Sequence, residues 1–420
     1  MWGAFSECRP ELSEAKKRGV MAIPPIAALE IGTSRTVMCV GESDESGRVK
    51  ITGVGTYPTT GVRKGQITDL SQARVGVESA AKQAEKQADV SIWQVLLATS
   101  GGHIQAVVNP GMVTIRSGDR VVSREDIEEV TENAQAVQIE ADRQVLHTIT
   151  QSFTVDDQPG IVKPEGMRCK VLTLNAMAVH GLKNRIDNAV NVVKSAQLDV
   201  TDVAFSGICA ALAVLTPEQK RNGVVLVDLG GGTTNYIAYC NNVISAVGCI
   251  AVGGDHVTND IALAFNIPLN RAEEIKRAEA SAVIDSDSGG RRVTLQADVG
   301  FEERLISCKA LHTVVNARMD ETFRVLRSKL DEAGVLPHLG GGVILTGGGA
   351  YLRKVTELAQ RVFGLPCRIG LPVNVDGLET VEQPASLSTA AGLALYGRLT
   401  YADRGLFSPL KNLFKGVFHR

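Results

Sequence analysis

The chain alternates between short apolar runs, typical of buried strands, and longer segments whose apolar residues recur every three or four positions, typical of helices. Residues 26–40 predict two strands around a tight loop, and residues 223–239 predict a second strand, glycine loop and strand. The remaining pattern predicts helices at 68–89, 181–197, 208–215, 255–265, 271–282, 302–331 and 384–397, and strands at 95–99, 200–205 and 343–346. Strands that alternate with helices are typical of α/β layers.

The pattern changes between residues 105 and 178. Short alternating segments there surround one acidic helix, which begins at Ser123 and has Asp126 three residues later, as in a capping box. We interpret this stretch as a small inserted α+β domain.

The last residues have the pattern of an amphipathic helix, preceded by a polar stretch at 399–408 that we interpret as a short tether. Ser408 suits the N-cap and Pro409 the first helical position. The apolar positions are Leu410, Leu413, Phe414, Val417 and Phe418, and the charged ones are Lys411, Lys415 and Arg420. A helix over 409–420 is about 18 Å long, too short to cross a hydrocarbon core of about 30 Å.

This terminal helix is therefore predicted to lie in the headgroup plane of an anionic membrane leaflet. The alternative is a terminal helix docked on the protein's own core. At the other end, residues 1–23 carry charges and lack an apolar signal core, so we expect a disordered leader there.

Composition narrows the class of protein. The chain has 420 residues, 44% of them hydrophobic, which fits about two to four structural units of a globular protein. A formal charge of −2 and an aromatic content of 4% argue against a nucleic-acid-binding surface. The eight cysteines form no C-x-x-C pair, so we interpret them as reduced core thiols in a cytosolic protein.

The strongest candidate site lies at residues 224–234, where an apolar strand delivers Asp228 and glycines follow. Glycines let a ligand approach the backbone closely, and their N–H groups suit phosphate oxygens. The candidate phosphate ligands are Gly230, Gly231, Gly232, Thr233 and Thr234. Asp228 suits Mg²⁺ held through water, since this ion keeps much of its hydration shell. An ordinary glycine-rich hairpin is the alternative for this segment alone.

Two other segments repeat this logic. Residues 29–34 place a strand and an acid before Gly32, Thr33 and Ser34. Residues 343–349 place a strand before Gly347, Gly348 and Gly349, where a base or ribose can pack. A tight turn explains each segment equally well alone. Together they give two phosphate-type loops and one nucleoside-type loop.

In their order and separation these segments resemble the nucleotide-binding motifs of the actin, Hsp70 and sugar-kinase superfamily. The five motifs of that superfamily correspond to residues 29–34, 206–215, 225–234, 344–349 and 384–397. Glu273 and Lys276 resemble its E-x-x-K helix, whose side chains hold ribose and adenine, and a solvated surface helix is the alternative. The resemblance implies an actin-like fold with ATP and Mg²⁺ between two lobes.

Within the superfamily the sequence resembles the FtsA family of bacterial cell-division proteins over residues 26–397 and the C-terminal tail. The segments that carry this resemblance are 61–69 (GVRKGQITD), 253–262 (GGDHVTNDIA) and 317–323 (ARMDETF). The resemblance implies an actin-like polymer that anchors the FtsZ ring to the inner face of the cytoplasmic membrane at the division site. It also implies that later division proteins are recruited.

The family resemblance implies a division into subdomains and a partner site. The subdomains are 1A at 24–104 and 179–218, 1C at 105–178, 2A at 219–265 and 341–398, and 2B at 266–340. Arg318 lies in the segment that resembles a 2B helix, and its guanidinium suits the acidic, apolar C-terminal peptide of FtsZ. An ion pair with Glu321 on the same helix is the alternative.

Three positions depart from the superfamily pattern. Ser206 stands where relatives often have a catalytic acid or amide, Glu30 replaces an Asp, and Ala280 replaces a glycine. The first departure leaves no evident residue to orient an attacking water, so we expect at most slow ATP hydrolysis. The alternative functions are a small-molecule kinase of this fold and a PilM-type pilus-assembly adaptor. Neither explains the terminal helix.

Overall fold

The computed structural model describes residues 24–44, 46–295 and 303–403. The predicted leader at 1–23 and the predicted membrane helix at 409–420 lie outside these residues. Within the described ranges, no helix combines the length and the apolar character that a membrane crossing requires.

The strands are β1 (Ile26–Ile31), β2 (Arg35–Ser43), β3 (Val49–Pro58), β4 (Val62–Arg63), β5 (Gln66–Ile67), β6 (Gln94–Thr99), β7 (Gln105–Thr114), β8 (Arg143–Val155), β9 (Gln158–Ile161), β10 (Val171–Leu182), β11 (Asp199–Phe205), β12 (Val224–Leu229), β13 (Thr234–Cys240), β14 (Val243–Ile250), β15 (Arg292–Leu295), β16 (Arg304–Ser307), β17 (Val343–Thr346), β18 (Cys367–Ile369) and β19 (Val375–Asp376). The helices are α1 (Leu70–Ala88), α2 (Arg124–Gln135), α3 (Lys183–Ser195), α4 (Ser206–Val214), α5 (Pro217–Asn222), α6 (Gly254–Phe265), α7 (Leu269–Glu279), α8 (Cys308–Glu332), α9 (Val355–Phe363) and α10 (Ser388–Asp403).

Two sheets of related topology form two lobes, as the actin-like fold prediction requires. The strand order is β11-β6-β1-β2-β3-β19 in the first lobe and β14-β13-β12-β17-β18 in the second. In each lobe one strand pairs antiparallel with the next strand of the chain and parallel with a later strand: β1 with β2 and β6, and β12 with β13 and β17. The carboxyl ends of these parallel strands meet between the lobes, where α/β sheets commonly bind ligands.

Helices α4 and α10 cross so closely that their backbones are in contact. A Cβ added to Gly392 of α10 would lie 1.7 Å from the carbonyl oxygen of Cys209 on α4. Ala213, one turn further along α4, lies at the same crossing, since its Cβ would be 3.3 Å from that added Cβ. These helices are the predicted motifs at 206–215 and 384–397, so their small residues are explained by close packing.

We expect Gly392→Ala to lower the free energy of unfolding by about 3 kcal/mol, because the two helices must separate to admit the methyl group. Gly118→Ala is the matched control, since nothing lies within 4 Å of a Cβ at Gly118. Urea unfolding followed by circular dichroism measures both variants. Equal stability of Gly392→Ala and the unchanged chain would contradict this account of the crossing.

The inserted unit has a four-stranded sheet in the order β7-β10-β8-β9, with α2 packed against it. The predicted capping box is present: the N–H of Asp126 donates to Ser123 Oγ at 3.2 Å, and the N–H of Ser123 donates to Asp126 Oδ2 at 2.8 Å. Strands β8 and β10 each take part in two hydrophobic cores. Ile149 and Val179 belong to a core that the first lobe shares with buried residues of β12, β13 and β14, whereas β8 ends and β10 begins in a core within the insert itself.

Two predicted elements differ in the structure. The helix predicted at 302–331 begins only at Cys308, because residues 304–307 form β16 and the Ser307 side chain caps the helix. The tether predicted at 399–408 is helical at its start, since α10 continues to Asp403. Tyr401 still packs against the core of the first lobe, which explains why the helix continues.

Candidate functional site

A cleft of about 500 Å³ lies between the two lobes at the carboxyl ends of their central strands. The predicted residues that line it are Gly32, Thr33, Ser34, Asp228, Gly230, Gly231, Thr233, Thr234, Glu273, Lys276, Gly347, Gly348 and Gly349. Gly232 does not line the cleft and instead packs against Thr33. Folding therefore brings four distant segments of the chain to one place.

The two predicted phosphate loops are matching hairpin turns, one from each lobe. In the first lobe the N–H of Gly32 donates to the carbonyl oxygen of Arg35 at 3.1 Å. In the second lobe the N–H of Gly230 donates to the carbonyl oxygen of Thr233 at 2.9 Å. The same turn geometry therefore joins β1 to β2 and β12 to β13.

The tips of these two turns contact each other. A Cβ on Gly232 would lie 2.4 Å from Thr33 Oγ1, and one on Gly231 would lie 2.9 Å from the Cβ of Ser34. Glycine is required at these two positions because the lobes approach each other there. Thr33 Oγ1 also accepts a hydrogen bond from the N–H of Gly65 at 3.0 Å, which holds its side chain in place.

Two carboxyl groups line the cleft beside these turns. Asp228 is 7% exposed, and its Oδ2 accepts hydrogen bonds from Asn235 Nδ2 at 3.1 Å and Thr389 Oγ1 at 3.3 Å. Burial raises the pKa of Asp228 above its ordinary value despite these hydrogen bonds. Burial, and then the charge of Asp228, raise the pKa of Glu30 to about 8, while Arg35 acts in the opposite direction. Two acids whose pKa values are raised together make a setting that favours a bound cation.

Helix α7 places the predicted E-x-x-K pair in the cleft wall. Lys276 Nζ lies 2.6 Å from Glu273 Oε2 and donates to the carbonyl oxygen of Gly254 at 3.0 Å. Thr258 Oγ1 donates to Glu273 Oε2 at 2.5 Å, and Arg277 Nε donates to Glu273 Oε1 at 2.7 Å. Burial would raise the pKa of Glu273, but Lys276 and these hydrogen bonds lower it below the ordinary value. Both side chains are thus packed against α6, unlike those of a solvated surface helix.

The third glycine loop lies directly beside Asp228. Gly347 follows β17 with a φ of 81°, which favours glycine. A Cβ on Gly347 would also lie 2.4 Å from Asp228 Oδ1. Tyr351 and Leu352 continue from this loop along the cleft wall.

The structure adds polar cleft residues that the sequence analysis missed. Arg35 lines the cleft and its Nη2 donates to the carbonyl oxygen of Ser386 at 3.1 Å, while Asn235 holds Asp228. Asp255 lines the cleft from the first turn of α6. Arg35 and Asn235 directly follow the two predicted loops, so extending each loop by one residue would have found them.

Ser206, the first departure from the superfamily pattern, is 1% exposed. Its Oγ donates to the carbonyl oxygen of Thr99 at 3.0 Å and so joins α4 to β6. The hydroxyl is therefore engaged in packing. Ala280, another departure, ends α7 and is buried.

Arg318 is held by ion pairs within the protein. Its Nε and Nη2 donate to Oδ2 and Oδ1 of Asp260 on α6 at 2.5 and 3.1 Å, and its Nη1 donates to Glu321. The alternative partner Glu321 is thus present, and the second partner was missed. A role for Arg318 in peptide binding stays a prediction.

An open groove of about 530 Å³ lies near Arg318, between the end of α6 and the start of α8. It is lined by Ala264, Phe265, Ser307, Lys309, Ala310, Thr313 and Val314. Leu263, Leu269 and Leu305 flank these residues in the sequence and are 73%, 59% and 54% exposed. The groove and these leucines thus present apolar groups to solvent beside Lys309.

The fold is similar to those of solved actin-like proteins. A structure titled as a PilM-PilN type IV pilus biogenesis complex matches with a TM-score of 0.61 and 17% identity, covering 89% of this chain and 98% of that one. MreB5 of Spiroplasma citri bound to ADP matches with a TM-score of 0.54 and 15% identity, covering 90% and 98%. At these identities the similarity shows only a shared fold, and this holds for the PilM-PilN structure as well.

Family models and relatives identify the family. The model described as cell division protein FtsA matches residues 225–392, and the model of the SHS2 domain inserted in FtsA matches residues 101–180. FtsA of Pseudomonas aeruginosa is 35% identical over 378 residues, covering 90% of each chain. FtsA of Escherichia coli K12 is 36% identical over 388 residues, covering 90% of this chain and 91% of that one. The chain therefore belongs to the FtsA family of cell division proteins.

Proposed function

We propose that the cleft binds ATP together with Mg²⁺. The observation that carries this proposal is the pair of matching glycine turns, one from each lobe, that meet beside Asp228. Backbone N–H groups of the turns and the hydroxyls of Thr33 and Thr233 would hold phosphate oxygens. Asp228 and Glu30 would hold the Mg²⁺ ion through its waters. The MreB5 structures with ADP and with AMPPNP have the same fold, which supports a nucleotide as the ligand.

Other residues that line the same cleft would hold the nucleoside. Glu273 and Lys276 would contact ribose and adenine, and the glycines at 347–349 would let the flat base approach the backbone. Because the hydroxyl of Ser206 is engaged with β6, we propose at most slow hydrolysis. Calorimetry of the full chain with ATP and Mg²⁺ tests binding, and the absence of any binding heat at several temperatures would reject the proposal.

We also propose that this protein polymerises and anchors the FtsZ ring to the inner face of the cytoplasmic membrane, where it helps to recruit later division proteins. Membership in the FtsA family supports the division role. The amphipathic pattern at 409–420 supports attachment to an anionic leaflet. One short helix binds a membrane weakly and reversibly, so several copies in a polymer would give stable attachment.

For the FtsZ tail peptide, the α6–α8 groove is the site that we favour. The peptide is acidic and apolar, and the groove combines Phe265 and Val314 with Lys309. Arg318 is held by Asp260 and Glu321, so it would have to exchange a carboxylate partner to bind the peptide directly. We therefore propose the groove as the main contact and Arg318 as an additional one.

We expect Ala310→Glu to weaken binding of the FtsZ tail peptide by about tenfold, because it places a negative charge in the groove. Ala310 is exposed on α8, so folding is unaffected. Val325→Glu is the control: this residue is also exposed on α8, about 22 Å further along the helix. Fluorescence polarisation with a labelled peptide measures both variants and Arg318→Glu. If Ala310→Glu binds as the unchanged chain does while Arg318→Glu fails, the contact lies at Arg318.

A further inference from the structure

The loop at residues 89–93 holds an exposed tryptophan. Helix α1 ends at Ala88, Asp89 adopts a left-handed conformation with φ of 54°, and Trp93 precedes β6. Trp93 is 73% exposed, and every Phe and Tyr among the residues that the structure describes is more buried. Tryptophan side chains are highly buried on average, so an indole that is mostly in water is unusual.

The backbone of this loop is fixed on both sides of the indole. Ile92 is 7% exposed, and its N–H donates to Glu85 Oε1 at 2.8 Å. The carbonyl oxygen of Trp93 accepts a hydrogen bond from the N–H of Asp199, at the start of β11, at 2.9 Å. The indole therefore extends from an anchored backbone, and ordering it against a partner costs little conformational entropy.

Trp93 lies at the end of the first lobe that is remote from the cleft. Strand β6 runs from Trp93 towards the cleft, while α10 starts at the cleft, where Thr389 contacts Asp228, and runs away from it. Leu96 of β6 and Gly397 of α10 are in contact and therefore lie at a similar distance from the cleft, since a Cβ on Gly397 would lie 2.3 Å from Leu96 Cδ1.

Beyond the contact between Leu96 and Gly397, β6 and α10 extend a similar distance away from the cleft. Trp93 lies three residues back along the strand, about 10 Å away at 3.3 Å per residue. Asp403 lies six residues on along the helix, about 9 Å away at 1.5 Å per residue. The described chain thus ends at the same end of the lobe as the exposed indole. Five further residues lead to Ser408, which can span at most about 17 Å.

We propose that Trp93 enters the headgroup region of a lipid bilayer and forms a second membrane contact beside the terminal helix. This inference rests on the proposed attachment of residues 409–420 to the membrane. An indole suits this position because it joins a large apolar ring to an N–H donor, and tryptophan is enriched at membrane interfaces. The charged residues at the ends of the elements that meet here have both signs: Lys86 and Lys194 end α1 and α3, while Glu85 and Asp199 bond to the loop. The contact therefore depends on the indole more than on anionic lipid. Two contacts would fix the orientation of the first lobe relative to the membrane.

The two tryptophans of the chain, Trp2 and Trp93, allow a direct test. In a full chain with Trp2→Phe, all tryptophan fluorescence comes from Trp93. The probe is a vesicle of phosphatidylcholine and phosphatidylglycerol, with and without brominated acyl chains, and binding is scored separately by co-sedimentation. We expect the emission to shift to shorter wavelength on binding and to be quenched by the brominated lipid.

A second set of variants measures the contribution of the indole. We expect Trp93→Ser to lower the vesicle partition constant of the full chain by about tenfold. Val162→Ser is the matched control, since Val162 is 77% exposed on the inserted unit. Co-sedimentation without any change in Trp93 emission or quenching would overturn this inference and leave the terminal attachment standing. Failure of the chain to co-sediment at all would overturn both.

Discussion

Asp228→Ala is expected to weaken binding of ATP in the presence of Mg²⁺ by about 10- to 100-fold, and to leave binding in EDTA unchanged or tighter. The reason is that the carboxylate has opposite effects in the two conditions. With Mg²⁺ the carboxylate holds the waters of the ion. Loss of a residue that acts in this outer shell typically weakens metal binding by about 10- to 100-fold. Without Mg²⁺ a buried carboxylate repels the triphosphate, so its removal relieves a repulsion.

Calorimetry in the two conditions separates these effects. Asp376→Ala is the control, because it removes a carboxylate on an edge strand that pairs with Arg48 outside the cleft. If Asp228→Ala binds Mg-ATP as tightly as the unchanged chain, Asp228 is not near the metal. Equal weakening with Mg²⁺ and with EDTA would mean that Asp228 shapes the cleft and does not hold the ion.

Removal of residues 406–420 is expected to abolish co-sedimentation with anionic vesicles. The predicted apolar stripe supplies most of the membrane affinity, because burying apolar side chains is favourable in proportion to their area. Phe414→Glu, which puts a charge in that stripe, is expected to have nearly the same effect. Asn412→Glu adds the same charge on the opposite, polar face of the predicted helix, so it should retain most of the binding.

Comparison of these two Glu variants separates the effect of burying the apolar stripe in the membrane from the effect of adding a negative charge. If both lose binding equally, attraction between the lysines and the anionic lipid dominates. If the deletion and Phe414→Glu both remain fully bound, the anchor proposal fails and a helix docked on the protein's own core is favoured. Mg-ATP should strengthen binding of the intact chain if the nucleotide favours the polymer.

Local patterns in the sequence predicted those features of the site that depend on neighbouring residues. The turns at Gly32 and Gly230 were predictable because a strand, an acid and glycines stand together in each segment. For Arg318 the sequence predicted the ion pair with Glu321 but not the one with Asp260, since Asp260 lies 58 positions away and no local pattern connects the two. The sequence did not predict that Trp93 is exposed, because an aromatic residue before an apolar strand is usually buried.

Errors at element ends have a similar origin. The start of α8 was predicted too early because residues 304–307 can follow either a helical or a strand pattern, and pairing with β15 decides between them. The end of α10 was predicted too early because the polar residues after Gly397 resemble a linker. The packing of Tyr401 on the first lobe extends the helix, and this contact is not visible from the sequence.

The continuous strands of the insert have a mechanical consequence. Because β8 and β10 pass without a break from the core that the two lobes share into the core of the insert, the connection is rigid and is not a flexible linker. On the other side, Gln151 Nε2 on β8 donates to the carbonyl oxygen of Ile244 on β14 of the second lobe at 3.0 Å. A force applied to the insert would therefore be transmitted along β8 and β10 to the first lobe, and through Gln151 to β14 of the second lobe. Such a force would act on both of the lobes that form the cleft.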